Sequence, residues 1–210
     1  LQRITTKRIF FVTGEQGCGK STFLAALMQK YALQPSGFIT KKEEAVKEPA
    51  LYMHPVVAGT AIYRYTTGNK VGICPQQKPI GFAPIFDIFG VMCLKQAEEV
   101  ILSSIGDEHS DADCDAASLS PALPVILMDE LGFMEAEAEL FFRAVCDLLS
   151  DSRYYIIGAV KPHGTRFLPV LEQMPEAIVY RLTLQNRIKL YERLEQAQNF
   201  TSFLDAIGAE

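Results

Sequence analysis

Short apolar runs alternate with helical periods along this chain. Ile9 to Thr13 is a nearly pure apolar run, the pattern of a strand covered on both faces, as in a parallel sheet. After a glycine-rich stretch, Phe23, Leu24, Leu27, Met28 and Tyr31 recur at helical spacing, which predicts a helix starting near Lys20. Pro35, Ser36 and Gly37 end that unit, and Gly37 to Thr40 reads as the next strand. The charged stretch "KKEEAVKEPA" reads as a loop. "LYMHPVV", "AIYRYTT" and "KVGICPQ" follow as strand-like pieces, with "TTGNK" as a hairpin turn signal between the last two. Residues 41–82 are therefore expected to form a small antiparallel β insertion on a parallel core.

From Ile85 to Ser104 the pattern turns helical, and residues 105–123 are small, polar and acidic, the composition of a solvated loop. "PVILMDE" is a second buried strand that ends in two carboxylates. Leu140, Phe141, Val145, Leu148 and Leu149 mark one face of the helix after it. "YYIIGAV" and "AIVYRLT" read as a third and a fourth buried strand, and "LQNRIKLYERLEQAQ" as a closing helix with Thr183 at its N-cap. No internal repeat is present. Strands alternating with helices predict an α/β fold over residues 1–210, with a mostly parallel sheet covered by helices on both faces. Ligands of such sheets bind at the carboxyl ends of the strands. The residues after Thr13, after Met128 and after Val160 all fall on that edge.

Composition narrows the function classes. The chain has 210 residues, 49% of them hydrophobic, and a net charge of −5, so a sizeable core is available and no basic stripe for nucleic acid is expected. No apolar run approaches the roughly 20 residues that cross a bilayer, and the most apolar region, "GFAPIFDIFGVMCL", is broken by Pro84 and Asp87. No membrane partner is expected, and no signal peptide is visible at the start. The five cysteines are widely spaced without a C-x-x-C pair, and the three histidines are scattered. That is the usage of reduced thiols in a cytoplasmic protein, without a structural zinc site.

The chemistry begins at Gly14. The run Gly14, Glu15, Gln16, Gly17, Cys18, Gly19, Lys20, Ser21 fits G-x-x-x-x-G-K-[ST] in full, between an apolar strand and a helix as that pattern requires. The glycines let backbone N–H groups line an anion nest, and the helix adds the positive end of its dipole. Lys20 is placed to reach the β- and γ-phosphates of a nucleoside triphosphate, Ser21 to ligate Mg²⁺ and Thr22 to support the α-phosphate. Cys18 sits near a helix N-terminus, where a thiol can be activated; its backbone alone serves the loop equally well. Asp129, at the end of a buried strand, has the position of the second Mg²⁺ anchor. Glu130 next to it can take a proton from an attacking water, or it can be a capping carboxylate. An adjacent Asp-Glu pair is the habit of P-loop ATPases in which another strand separates the cradle strand from the acidic one, and "YYIIGAV" is expected to be that strand. Asp111, Asp113 and Asp115 alternate in the acidic stretch, yet the glycine and glutamate of a calcium loop are missing.

Four blocks, "GEQGCGKST", "GFIT", "DELGFME" and "LTLQNR", carry a resemblance to the small nucleoside-triphosphatase family of thermophilic NTPases and the cancer-related nucleoside-triphosphatase. The blocks stand in the family's order, and Glu135 follows Met134 as a glutamate does there. The resemblance implies Mg²⁺-dependent hydrolysis of ATP and other nucleoside triphosphates to diphosphates with loose base selectivity, on a RecA-like core. It also places Asn186 and Arg187 near the base; a helix start with surface polar groups explains the same residues. No guanine-selective N-K-x-D is present. The family's glutamate and arginine after "GF-T" are replaced by Lys41, Lys42 and Glu43. Lys161, His163 and Arg166 are the remaining candidates to sense the γ-phosphate. A phosphotransferase and a nucleotide-dependent switch remain as alternatives to a hydrolase.

Overall fold

The computed structural model describes residues 6–43, 49–106 and 123–209. The elements run β1 (Ile9–Thr13), α1 (Lys20–Lys30), β2 (Ser36–Glu43), β3 (Ala50–Val57), β4 (Thr60–Ala61), β5 (Lys70–Ile73), β6 (Ile80–Gly81), α2 (Ala83–Ile85), α3 (Val91–Gly106), β7 (Val125–Leu131), α4 (Glu139–Ser150), β8 (Tyr155–Val160), α5 (Phe167–Gln173), β9 (Ala177–Arg181), α6 (Arg187–Gln196) and α7 (Phe200–Gly208). A π-type turn, Phe86–Gly90, joins α2 to α3. Every residue of β1 is buried. Its pleat sends Ile9 and Phe11 into one core and Phe10 and Val12 into the other, because successive side chains of a strand point to opposite faces. The run is apolar throughout for that reason: both of its faces are covered.

The strands lie in the order β6-β5-β3-β2-β7-β8-β1-β9, with β4 also on β3. β2, β7, β8, β1 and β9 are parallel, whereas β3, β4, β5 and β6 pair antiparallel. The sheet is thus mixed, and β8 separates β1 from β7. The change of direction occurs on β2. Ser36 to Ile39 pair with β7, while β3 pairs with β2 from Gly37 to Glu43. Past Ile39 the strand loses its parallel neighbour, so charged residues can continue it. Lys41 to Glu43, read from composition as loop, are strand because β2 is there paired on one side only, by β3, and an edge tolerates polar side chains.

The "TTGNK" stretch closes no hairpin. β4 pairs with Val56 and Val57, and β5 with Ala50 to Tyr52, so both lie along one edge of β3. Asn69 holds the connection. Its Nδ2 donates to Met53 O at 2.9 Å and to Arg64 O at 2.6 Å, and its Oδ1 accepts from Thr66 N at 2.9 Å and Thr66 Oγ1 at 2.8 Å. Asp111, Asp113, Asp115 and Cys114 lie outside the described residues. The other four cysteines are free thiols.

Helices cover both faces. One core packs Phe38, Leu94, Met128, Phe141 and Phe167 under α3, α4 and α5; the other packs Phe10, Phe23, Leu190 and Phe203 under α1, α6 and α7. Two of these helices have weak signals in the sequence. α5 is only seven residues long and contains a proline. α7 follows a short linker, and its start is an Asn199–Ser202 capping box, a reciprocal pair that satisfies the free N–H groups of a first turn. Thr183 does not begin α6. Its hydroxyl accepts from Asn186 N at 3.2 Å in the turn before the helix, and Asn186 takes the capping position. On α4, Phe141, Val145, Leu148 and Leu149 are buried but Leu140 is 57% exposed, since it falls off the stripe that its neighbours define.

Phe141 joins the layers, with ring centroids 5.7 Å from Phe38, 5.5 Å from Phe86 and 6.3 Å from Phe167. Phe141→Ala should lower the unfolding free energy by about 3–5 kcal/mol in urea titration, whereas Leu140→Ala should cost less than about 1 kcal/mol. Similar losses at both positions would contradict this placement of α4.

Candidate active site

At the end of β1 the chain turns at once. Gly14 has φ 151°, and a Cβ there would lie 2.3 Å from Leu182 O, so the turn needs both the conformational freedom and the space of glycine. Gly19 is left-handed immediately before α1. The first turn of α1 brings backbone N–H groups without intrahelical partners to the same place. Glu15, Gln16, Gly17, Ser21 and Thr22 are exposed around the loop, while Cys18 is buried. The Cys18 thiol packs toward Gly14 within the apolar cluster under α1.

Lys20 is 8% exposed. Its Nζ donates to Gly14 O at 2.9 Å and to Glu15 O at 3.2 Å, and lies 3.3 Å from Glu130 Oε1. The other oxygen of Glu130 is 2.9 Å from Lys161 Nζ. One carboxylate from β7 therefore spans a lysine that follows β1 and a lysine that follows β8. Glu130 Oε1 is buried without an aligned hydrogen bond, so its contact with Lys20 is ionic.

Ser21 Oγ donates to Asp129 Oδ1 at 3.3 Å. Burial pushes the Asp129 carboxyl up from its ordinary range; the Ser21 hydroxyl opposes this, Glu130 adds to it, and Lys41 and Lys20 oppose it. A hydroxyl and a carboxylate oxygen side by side form a hard-oxygen pair of the kind that Mg²⁺ takes together with phosphate oxygens and water. Among the described residues no group of three or more His, Cys, Asp and Glu could hold a metal. An ion at Ser21 and Asp129 would therefore depend on substrate oxygens to complete its shell.

The three cations after β8 separate. Lys161 reaches Glu130. His163 Nε2 is 3.9 Å from Glu15 Oε1, with both side chains largely exposed. Arg166 points elsewhere: it donates to Ala136 O at 3.0 Å and Glu139 Oε1 at 2.6 Å and stacks over Phe142 at 3.9 Å. Asn186 spends its amide on the β9–α6 turn, donating to Arg181 O and accepting from Thr183 N, each at 2.8 Å. Arg187 lines a cavity of about 680 Å³ that opens beside Gly17, Cys18, Gly19 and Thr22.

Residue patterns alone did not single out Glu135. It is 3% exposed and accepts a hydrogen bond from Gly132 N. Burial pushes its carboxyl up to about 7, the hydrogen bond from Gly132 opposes the shift, Glu130 adds to it and Lys161 opposes it. The only signal in the sequence was its place in the "DELGFME" block. Lys41, whose field acts on Asp129, and Tyr191 and Glu192 in the cavity wall were missed as well. On α6, Tyr191 stands one helical turn beyond Arg187 and Glu192 one turn beyond Ile188, a spacing that could have found them.

A family profile described as NTPase matches residues 76–194, more than half of the chain. The chain belongs to the NTPase family. That match begins after the glycine loop, so the loop rests on its own geometry. Two solved structures share the fold. The crystal structure of THEP1 from the hyperthermophile Aquifex aeolicus is 18% identical at a TM-score of 0.57, covering 88% of this chain and 95% of that one. The solution structure of a human cancer-related nucleoside triphosphatase is 21% identical at a TM-score of 0.52, covering 90% and 95%. At these identities the likeness shows an α/β P-loop NTPase fold with a mixed sheet flanked by helices. A comparison with curated protein sequences finds no match. Among the described residues no helix is long and apolar enough to cross a membrane. Family membership supports nucleotide hydrolysis in general terms.

Glu135 should leave a mark on stability. Between about pH 4.5 and 7 the folded chain keeps a proton on it that the unfolded chain has released. This contribution is therefore present in full below about pH 4.5 and is lost as pH rises through about 7. Glu135→Gln removes it, so urea unfolding should show the variant gaining on the wild type by up to about 3 kcal/mol across that window. Parallel stability curves would contradict the burial of this carboxyl.

Proposed function

We propose that the protein hydrolyses nucleoside 5′-triphosphates to diphosphate and phosphate with Mg²⁺, on a RecA-like core. One observation carries the reading: Glu130 lies 3.3 Å from Lys20, next in sequence to the Asp129 that accepts from Ser21. Phosphate binder, ion anchor and proton acceptor are thereby in one place. A triphosphate seated on Gly14 to Ser21 takes Lys20 away from the carbonyls of Gly14 and Glu15 and from Glu130. Thr22 supports the α-phosphate, and the nucleoside extends into the cavity beside Arg187.

Mg²⁺, when bound by Ser21 and Asp129, supplies charge for the β- and γ-phosphate oxygens. Glu130, relieved of Lys20, accepts the proton of a water as that water's oxygen attacks the γ-phosphorus. The bond between the γ-phosphorus and the bridging oxygen breaks, and the diphosphate leaves with the electron pair. Lys161 holds the second oxygen of Glu130 and so fixes the direction of the first. The cations that contact Glu130 among the described residues are lysines, and an arginine finger contributes factors of about 10³ or more; without one at the γ-phosphate, turnover should be slow.

A second reading has its own support. His54 pairs in register with Ile39, which pairs with Asp129. Around His54 stand Tyr63 and Tyr65, each with its ring centroid 5.1 Å away, and both are about half exposed. Such a group, two strands from the ion anchor, could seat an acceptor other than water, as in a phosphotransferase, or a protein partner, as in a switch.

A phosphate-release assay with ATP, GTP, CTP and UTP separates these. Phosphate should appear without any acceptor and vanish in Lys20→Ala. Glu130→Gln should slow release by about 10²–10⁴-fold with nucleotide binding retained. Wild-type hydrolysis in Glu130→Gln would remove the proposed base. Release only after an acceptor or partner is added would favour the second reading.

A further inference from the structure

The cavity beside the glycine loop is polar at one end in one sense and at the other end in the opposite sense. Arg187, Ile188, Tyr191, Glu192 and Glu195 line it, and their spacing puts them on one face of α6. Contacts with α1 fix the direction of that face. Tyr191 meets Phe23, in the first turn of α1, edge-on at 5.3 Å. Lys30, at the last turn of α1, lies 3.0 Å from Glu195 Oε2. Arg187 therefore stands at the phosphate end, and Glu192 and Glu195 lie about 8 and 12 Å further along the helix, at 1.5 Å per residue. That reach matches a nucleoside extending away from its phosphates. Leu182, Ile188 and Tyr191 supply apolar surface between the two ends, against which a flat ring can pack.

The carboxylates at the far end are not equivalent. Glu195 is occupied by Lys30, which donates to its Oε2 at 3.0 Å. Glu192 is exposed and has no hydrogen-bond or ion-pair partner among the described residues. An ionised carboxylate only accepts hydrogen bonds.

We propose that Glu192 reads the exocyclic amino group of the base, so that the site takes triphosphates of amino-bearing bases in preference to uridine triphosphate. This deepens the hydrolase reading above and rests on it for the seating of the phosphates. Cytosine and uracil are the same size but differ at one edge. Cytosine offers an amino donor to a carboxylate, whereas uracil brings a carbonyl oxygen against it. Two acceptors face to face leave both unpaired, and a site built to receive an N–H rejects the analogue that lacks it.

The test compares CTP with UTP in the wild type and in Glu192→Gln, by kcat/KM for phosphate release and by the dissociation constants of CDP and UDP. The wild type should favour the cytidine nucleotide by about tenfold, equivalent to about 1.4 kcal/mol. In Glu192→Gln the preference should fall to within about twofold, because an amide can both donate and accept. Equal handling of the two nucleotides by the wild type overturns the proposal, as does a preference that survives Glu192→Gln. If no triphosphate is hydrolysed, the hydrolase reading fails by itself, and the CDP and UDP constants still decide whether Glu192 reads the base. Should Glu192→Gln not fold, Glu192→Ala takes its place, with the same fall in preference expected and a surviving preference overturning the proposal.

Discussion

A single carboxylate between two lysines ties the ends of three strands together. Lys20 follows β1, Glu130 ends β7 and Lys161 follows β8, and the two ion pairs measure 3.3 and 2.9 Å. Burying any of these charges without a partner would cost several kcal/mol. The strand order is what makes the pairing possible. With β8 between β7 and β1, Asp129 and Glu130 stand two strands away from the glycine loop, close enough to meet Lys20 and Ser21. A different order would strand a buried lysine and a buried aspartate.

The same edge shows why the site tolerates so much concentrated charge. Asp129 is pushed up by burial and relieved by Ser21 and the nearby lysines; Glu135 is buried more deeply and is relieved mainly by Gly132 N. Charge is thus distributed in a chain, Lys20 to Glu130 to Lys161, with Glu135 beside it. On the proposed reading, a triphosphate would add negative charge at Lys20 and a divalent cation would compensate at Asp129. On that reading the site exchanges partners while the number of unpaired charges stays low.

Much of this was legible in the sequence, for identifiable reasons. Strands covered on both faces announce themselves as unbroken apolar runs, so β1, β7, β8 and β9 were readable. The glycine loop was readable because its spacing has few other uses. The antiparallel part was harder. Lys41 to Glu43 look like loop, because an exposed strand loses the apolar signature once it leaves the parallel neighbour at Ile39. Asn69 looks like a hairpin residue, yet it ties the loop between β4 and β5 to Met53 of β3. Leu140 looks like core, because one extra leucine beside a stripe does not change the period. The roles of single polar residues were the least legible. Neither the turn made by Asn186 nor the departure of Arg166 to Glu139 has a local signature, since each depends on which backbone happens to lie nearby.

Under the proposed function, triphosphate binding takes Lys20 away from Glu130. A crystal structure with Mg²⁺ and a non-hydrolysable ATP analogue tests this directly. The triphosphate is expected on Gly14 to Ser21, with Lys20 Nζ on its β- and γ-oxygens, the ion between Ser21 and Asp129, and Glu130 Oε1 within hydrogen-bond reach of a water in line with the γ-phosphorus. An analogue bound with Lys20 still paired to Glu130, or seated away from this loop, would contradict it.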